Sequence, residues 1–559
     1  PTWTRPAGRT TAIQDTDDDG LTFPAGITSV TVLELMTVVG ANAGLASAST
    51  SAITITNSSP TLTTDTVRAG NAMTAIGLRV VETAGLVASP TVSGGSYSAV
   101  GIAGGTAIAV SLEASSPRFQ MVTIGGLSAG GAPAATTAYG VRCVDCGGTT
   151  FTAGSVTTSG ATTTGYGLHG SGDLTGFTAT TTSFSGGVTT AAGSSTTGVR
   201  LETCTGAPTF TTTNTSGGFN LGGPPANRLQ TAFSTTGAAC APVVDGGNHV
   251  GCELGVNCFG IDASTSSRIV VRNAPRVQGT VGTADVAVGM RCLTNACASI
   301  SGSTIAAGNL SRSGPVGIGL ELDGASPAVD DNSITGPNSL NLAIAVPGSR
   351  FFGVYLRATS SLLTNNLIFA GTHNQPQVVV QYDQTAAGPA LIAPTIHSNT
   401  IEYVSCTGCG DRIGLVVNGT PGAFLFPMGV VRNNIIRHVG IGGITRPVEE
   451  RNISSDLQFF ENNVLWDPSA AASGVYLDEG SIGRTTAMQL NMLTDGTSGG
   501  NQIFDCMLNP SWHIPATAPN GGTGCRNTGT AVGAPPSDFD GNRRPQESGY
   551  DIGADEYVP

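Results

Sequence analysis

Lysine is absent from the 559 residues: all 24 basic residues are arginine, set against 37 acids. That absence excludes Schiff-base chemistry, the lysine of a phosphate-binding P-loop and a lysine general base. Charge is scarce altogether, at 11% of residues where about a quarter is usual, and the formal net charge is −13. An acidic chain with scattered arginines does not suit phosphate-backbone binding, so no nucleic-acid partner is expected. Only six histidines occur, none at metal-ligand spacing, so no histidine-built metal site is expected. No run is long and apolar enough for a membrane helix; Val30 to Ala48 is interrupted by Glu34 and by several Gly and Asn residues. The chain begins at Pro1 with no visible signal peptide, so a processed N-terminus is expected.

Small residues fill the space that charge leaves. Gly alone accounts for 79 positions, and Ala, Thr, Ser and Val supply much of the rest. These residues disfavour helix and suit strands and turns. A mean hydropathy of +0.12 is too high for a disordered chain.

Internal repetition points to the fold. A small or apolar residue, Gly and then alternating apolar positions recur as Ile76-Gly77-Leu78, Tyr139-Gly140-Val141, Tyr166-Gly167-Leu168 and Thr197-Gly198-Val199. The pattern returns at Val250-Gly251-Cys252, Val288-Gly289-Met290, Ile318-Gly319-Leu320, Phe352-Gly353-Val354, Ile413-Gly414-Leu415 and Ser473-Gly474-Val475. Most spacings are near thirty, and the last two are 61 and 60. A degenerate repeat is therefore expected inside each long gap, with Val378 to Val380 and Leu457 to Phe459 as fillers. A second motif, Asn followed by two β-formers, starts at Asn332, Asn366, Asn399, Asn434 and Asn463, with Ser303 one period earlier. Asn suits a tight bend, and one per turn at fixed phase would stack into a hydrogen-bonded ladder. The expected fold is all-β: a right-handed parallel β-helix (β-solenoid) of about 30-residue coils. Residues 1–70 are expected to form an N-terminal segment and cap, 71–500 the β-helix and 501–559 a C-terminal cap.

Twelve cysteines, mostly near neighbours, suggest local disulfides in an oxidising compartment. The spacing pairs Cys143 with Cys146, Cys252 with Cys258, Cys292 with Cys297, Cys406 with Cys409 and Cys506 with Cys525. Cys204 and Cys240 pair by subtraction. Thr runs such as Thr180 to Thr182 and Thr211 to Thr213 suit outward strand faces. Thr-x-Thr at Thr150/Thr152 and Thr209/Thr211 is not expected to stay in register, so an ice-binding face is not expected.

Asp15, Asp17 and Asp19, with Gly20, match the first half of a calcium loop, although Gly26 stands where its bidentate Glu belongs. Calcium is thus the one candidate cofactor. At the other end, Asp538-Phe539-Asp540-Gly541-Asn542-Arg543-Arg544-Pro545 precedes Asp551-Ile552-Gly553-Ala554-Asp555-Glu556. This region resembles the terminal signature of bacterial right-handed parallel β-helix repeat proteins with a choice-of-anchor Q region. The resemblance implies export and surface association. Physically, Asp538, Asp540, Arg543, Arg544, Asp551 and Glu556 are expected to pair among themselves and close the last coil.

No catalytic residues are assigned. The Asn-Thr-Asp, Gly-His-Gly and Arg-Ile-Lys trio of polygalacturonase-like β-helices is missing, and Asp330-Asp331 lacks the partners that would make it a hydrolase pair. The best enzyme cluster is Arg432, Arg437, His438, Glu449 and Glu450. The preferred expectation is a secreted, extracellular or cell-surface, non-enzymatic structural or adhesive protein. It would self-associate into a fibre, with residues 3–26 reaching a neighbouring subunit. The alternative is a β-helix that binds or cleaves polysaccharide, as a lyase or hydrolase. A groove lined by Arg and aromatic residues on one sheet face would favour that alternative.

Overall fold

A computed structural model describes residues 2–4, 12–14, 20–27, 32–34, 36–39, 49–63, 65–83, 87–126, 135–161, 163–189, 194–218, 229–310, 315–338, 349–372, 375–384, 392–404, 411–419, 429–440, 445–470, 474–515 and 524–559. The chain divides into two compact units, Pro1–Arg276 and Val277–Pro559. Each is a parallel β-solenoid of stacked coils. Among the described residues the one α-helix is the single turn Ala487–Leu490.

One coil of the first unit shows the plan. A three-residue strand, Thr150–Thr152, turns into Ser155–Ala161 and then Thr164–Asp173. The next coil repeats this as Thr178–Thr180, Ser183–Thr189 and Ser195–Thr205, each strand parallel to its predecessor. The middle residue of each short strand points inward. Phe119, Phe151, Ala179 and Phe210 therefore stack in one buried column, and the Phe119 and Phe151 rings lie 4.6 Å apart. Fully burying one such ring is worth about 2 kcal/mol. The repeated Gly of the first motif has a steric cause. A Cβ at Gly167 would sit 2.5 Å from the Gly198 carbonyl oxygen of the next coil, closer than any real contact.

Register corrects several expectations. Thr231-Ala232-Phe233 and Phe259-Gly260-Ile261 follow Thr197-Gly198-Val199 in phase, so Val250-Gly251-Cys252 belongs to another strand column, opposite Ser216. In the second unit Val378 to Val380 fills its gap as expected, but the second gap is filled by Arg446-Pro447-Val448. Phe459 sits instead in the short-strand column beside Val430. The described parts of the N-terminal segment also obey the repeat: Thr2–Thr4, Ala12–Gln14 and Leu21–Phe23 pair in parallel with Val32–Glu34, Thr37–Val39 and the strand Thr50–Thr56. These described strands continue the coils.

The Thr runs are not uniformly outward. Thr180 faces out, Thr181 takes the left-handed bend at φ 48°, and Thr182 turns inward to full burial. Thr150/Thr152, Thr178/Thr180 and Thr209/Thr211 do stack in register over three successive coils. That overturns the expectation of lost register. Arg118 and Gln120 replace the threonines one coil earlier.

Candidate functional site

Five expected cysteine pairs lie at disulfide distance. Cα separations are 5.7 Å for Cys143–Cys146, 4.9 Å for Cys204–Cys240, 5.5 Å for Cys252–Cys258, 5.9 Å for Cys292–Cys297 and 5.7 Å for Cys506–Cys525. Cys406 and Cys409 lie outside the described residues, as do Asp15, Asp17 and Asp19.

The asparagines form a continuous ladder. Asn332 Nδ2 donates to Asn366 Oδ1, Asn366 to Asn399, Asn399 to Asn434 and Asn434 to Asn463, at 2.9–3.1 Å, and all five side chains are fully buried. Each Oδ1 also accepts the backbone N–H of the preceding ladder residue. The ladder runs on to Asn501, which stands outside the Asn motif because Gln502 rather than a β-former follows it. The left-handed bend itself falls one residue earlier, at Asp331, Asn365, Ser398, Asn433 and Asn462.

Those bend residues hold the C-terminal segment. Asn462, Asn433 and Asn365 donate side-chain N–H bonds to the carbonyls of Thr528, Thr530 and Ser537, and His397 Nε2 donates to Val532 O. The segment therefore runs back along the flank of four coils; it does not close the last coil. Underneath, the outward residue after each ladder position reads Thr304, Ser333, Leu367, Thr400, Ile435 and Val464. The segment covers this column: Thr400 Oγ1 accepts from Ala554 N, and Ile435 and Val464 pack against Cys506, Ile514, Cys525 and Ile552.

Four expected cap residues meet. Arg544 is buried, donates to Asp551 O and Gly553 O, and faces Glu556 at 3.6 Å. Glu556 accepts N–H bonds from Gln546 and Asp551, and Asp538 accepts one from Glu556. Burial pushes the Glu556 carboxyl up to about 7. Arg543 is exposed, and Asp540 pairs instead with His513.

The expected enzyme cluster is dispersed. Arg432 pairs with Glu461 and Arg437 with Glu402, while His438 is sealed against Asp467 with no side-chain exposure. Glu450 is buried, which pushes its carboxyl well above its ordinary value. Glu449 reaches an open cleft. Four stacked strands of the second unit, Arg350–Arg357, Gln377–Asp383, Arg412–Asn418 and Thr445–Glu450, set Phe352, Val378, Ile413 and Arg446 in one column. Such a column spans about 14 Å at the usual strand spacing. It floors a cleft of about 350 Å³ whose walls include Gln377, Asp411, Glu449 and Arg451.

Two buried polar atoms of the cleft residues have no partner among the described residues. Gln377 is 2% exposed and donates to Pro337 O, but its Oε1 accepts nothing; Arg446 donates through Nη1 to Glu449, but its buried Nε donates to nothing. Leaving such groups dry costs roughly 1–3 kcal/mol each. Glu449 is occupied at both oxygens, by Arg446 and by Arg451. Beside the cleft, Phe352 stacks on Tyr355 at 5.2 Å and the Arg350 guanidinium lies 4.3 Å from the Tyr355 ring centre. Nothing in composition or period marks this column, because Phe, Val and Ile at a repeat position look like core. No protein-family model matches the chain, and no curated protein matches it.

Proposed function

We propose that this is an extracellular adhesive β-solenoid that binds polysaccharide in the Phe352–Arg446 cleft without cleaving it. The supporting observation is the cleft itself, an apolar floor of Phe352, Val378 and Ile413 edged by Gln377, Asp411, Arg446, Glu449 and Arg451. A sugar ring offers an apolar C–H face together with hydroxyls that both donate and accept. Sites of this kind combine apolar lining with a few fixed polar groups. The cleft is charge-balanced, with Arg446 and Arg451 against Glu449 and Asp411, and the chain as a whole is acidic. Both features favour a neutral glycan over a polyanion. Binding without cleavage is favoured because both oxygens of Glu449 are already engaged by the Arg446 and Arg451 guanidiniums. The cysteine pairs support an oxidising, extracellular setting.

Affinity electrophoresis through gels containing neutral or acidic polysaccharides tests the reading. Retardation by a neutral glycan is expected, lost at least tenfold in Phe352→Ala and Arg446→Gln, with no new reducing ends or unsaturated products. Equal mobility in every gel, or unchanged retardation of both variants, would refute it.

A further inference from the structure

Away from the cleft, three ligand atoms converge within the C-terminal segment. His513, Asp540 and Asp555 each place one nitrogen or carboxylate oxygen within 4.8 Å of the other two. Each is positioned by backbone bonds independent of that meeting. Asn509 Oδ1 accepts from Ser511 N and His513 N, closing the turn that presents His513. Asp538 Oδ1 accepts from Asp540 N and Asn542 N, closing the turn that presents Asp540. Asp555 Oδ2 accepts from Ile514 N at 2.6 Å, which sets its carboxylate beside the His513 loop.

Asp555 supplies the independent pointer to a ligand. It is 7% exposed, and among the described residues its other oxygen, Oδ1, accepts no hydrogen bond although it belongs to a buried carboxylate. The neighbouring carboxylates Asp538 and Asp540 add negative charge around it. Arg544, a buried cation of the same segment, is already committed to Asp551 O, Gly553 O and Glu556. The open side of the triad is wet, since the His513 and Asp540 side chains are 43% and 39% exposed. A cation could enter there and keep a water as its fourth ligand.

We propose that His513, Asp540 and Asp555 form a divalent-metal site of the zinc class. One imidazole nitrogen with two carboxylate oxygens suits Zn²⁺, whereas Ca²⁺ asks for six to eight oxygens. Bound metal would tie the loop closed by Cys506–Cys525, which carries His513, to the terminal turn that carries Asp540 and Asp555. It would thereby fasten the flank segment to itself.

The test uses the full chain after chelator treatment and dialysis. Calorimetric titration with Zn²⁺ should show one site per chain. Co²⁺ should develop visible absorption typical of a mixed nitrogen and oxygen site. His513→Ala and Asp555→Asn should each weaken Zn²⁺ binding at least tenfold, with folding of each variant checked by circular dichroism. His513 is exposed enough that its variant keeps the fold. Absence of binding, binding unchanged in His513→Ala, or tighter Ca²⁺ than Zn²⁺ binding would overturn the proposal.

Discussion

Deleting one rung of the asparagine ladder should cost far more than a surface asparagine. Asn399 is fully buried and donates to Leu363 O, His397 O and Asn434 Oδ1, while its Oδ1 accepts from the N and Nδ2 of Asn366. Asn399→Ala strands these partners in a site too tight for water. Of the five bonds lost, Asn366 Nδ2 keeps Val329 O and Asn434 Oδ1 keeps Asn399 N, which leaves three partners to count; at the low end of the usual penalty these amount to about 3 kcal/mol, with roughly 1 kcal/mol more for the small void. Asn332 differs in one respect: its Oδ1 accepts from Ser303 N but has no upstream amide. Asn332→Ala should therefore cost slightly less than Asn399→Ala. Urea unfolding followed by tryptophan fluorescence measures both, and native-state hydrogen exchange localises the loss. Because coil solenoids unfold by nearest-neighbour coupling, the exchange data should show loosening centred on the coils that flank Asn399. A loss below about 1 kcal/mol in Asn399→Ala, or a larger loss in Asn332→Ala, would refute the ladder as a major source of stability.

Other consequences follow from buried groups. Burial lowers His249 to about 4; its Nε2–H donates to Gly246 O, and Nδ1 accepts from Thr215. Its neutral form thus contributes stability that is complete above the unfolded value of about 6.5 and is lost as pH falls toward 4, on the order of 3 kcal/mol. His249→Gln should flatten acid unfolding in that window, and an unchanged acid limb would contradict this. Arg544→Ala leaves Glu556 buried beside no cation and should cost about 3 kcal/mol at pH 8. Since Glu556 is already raised to about 7, its protonation should shrink that loss as pH drops below 7; a pH-independent loss in chemical denaturation would count against it. Replacing Cys506 and Cys525 together by Ser opens a loop of 19 residues and should cost about 3 kcal/mol, with faster exchange confined to the flank segment.

The architecture was legible because its causes repeat locally. A Gly whose Cβ would strike the next coil, and an Asn that must reach the next Asn, both recur once per turn, so period alone exposes them. Phase was harder. Val250-Gly251-Cys252 carries the right residue types in the wrong column, and only strand pairing reveals it; the anomalous spacing of 53 before it was the available signal. The bend and the ladder merged in the sequence reading because Asn serves both, as Asn365 beside Asn366 shows. A change from Thr304 and Ser333 to Ile435 and Val464 at one outward position announced a cover over those coils, yet a single column every thirty residues is visible only once register is known. Asp331 illustrates what sequence cannot price: burial and the adjacent Asp330 push its carboxyl up to about 7. The cleft and the His513 triad depend on residues brought together from distant stretches, so no local pattern records them.

The flank segment also orders events in time. Ser537 meets Asn365 across 172 residues of chain, and Val532 meets His397 across 135. Coils form from near-neighbour contacts as the chain emerges, but this contact must wait for the final stretch to be made. Until then Ile435 and Val464 stand bare on the flank. A chain interrupted between the last ladder rung and Cys506 would hold its coils and still display those apolar side chains. Completion of synthesis is thus written on the surface, where a chaperone or protease that recognises exposed apolar side chains could read it.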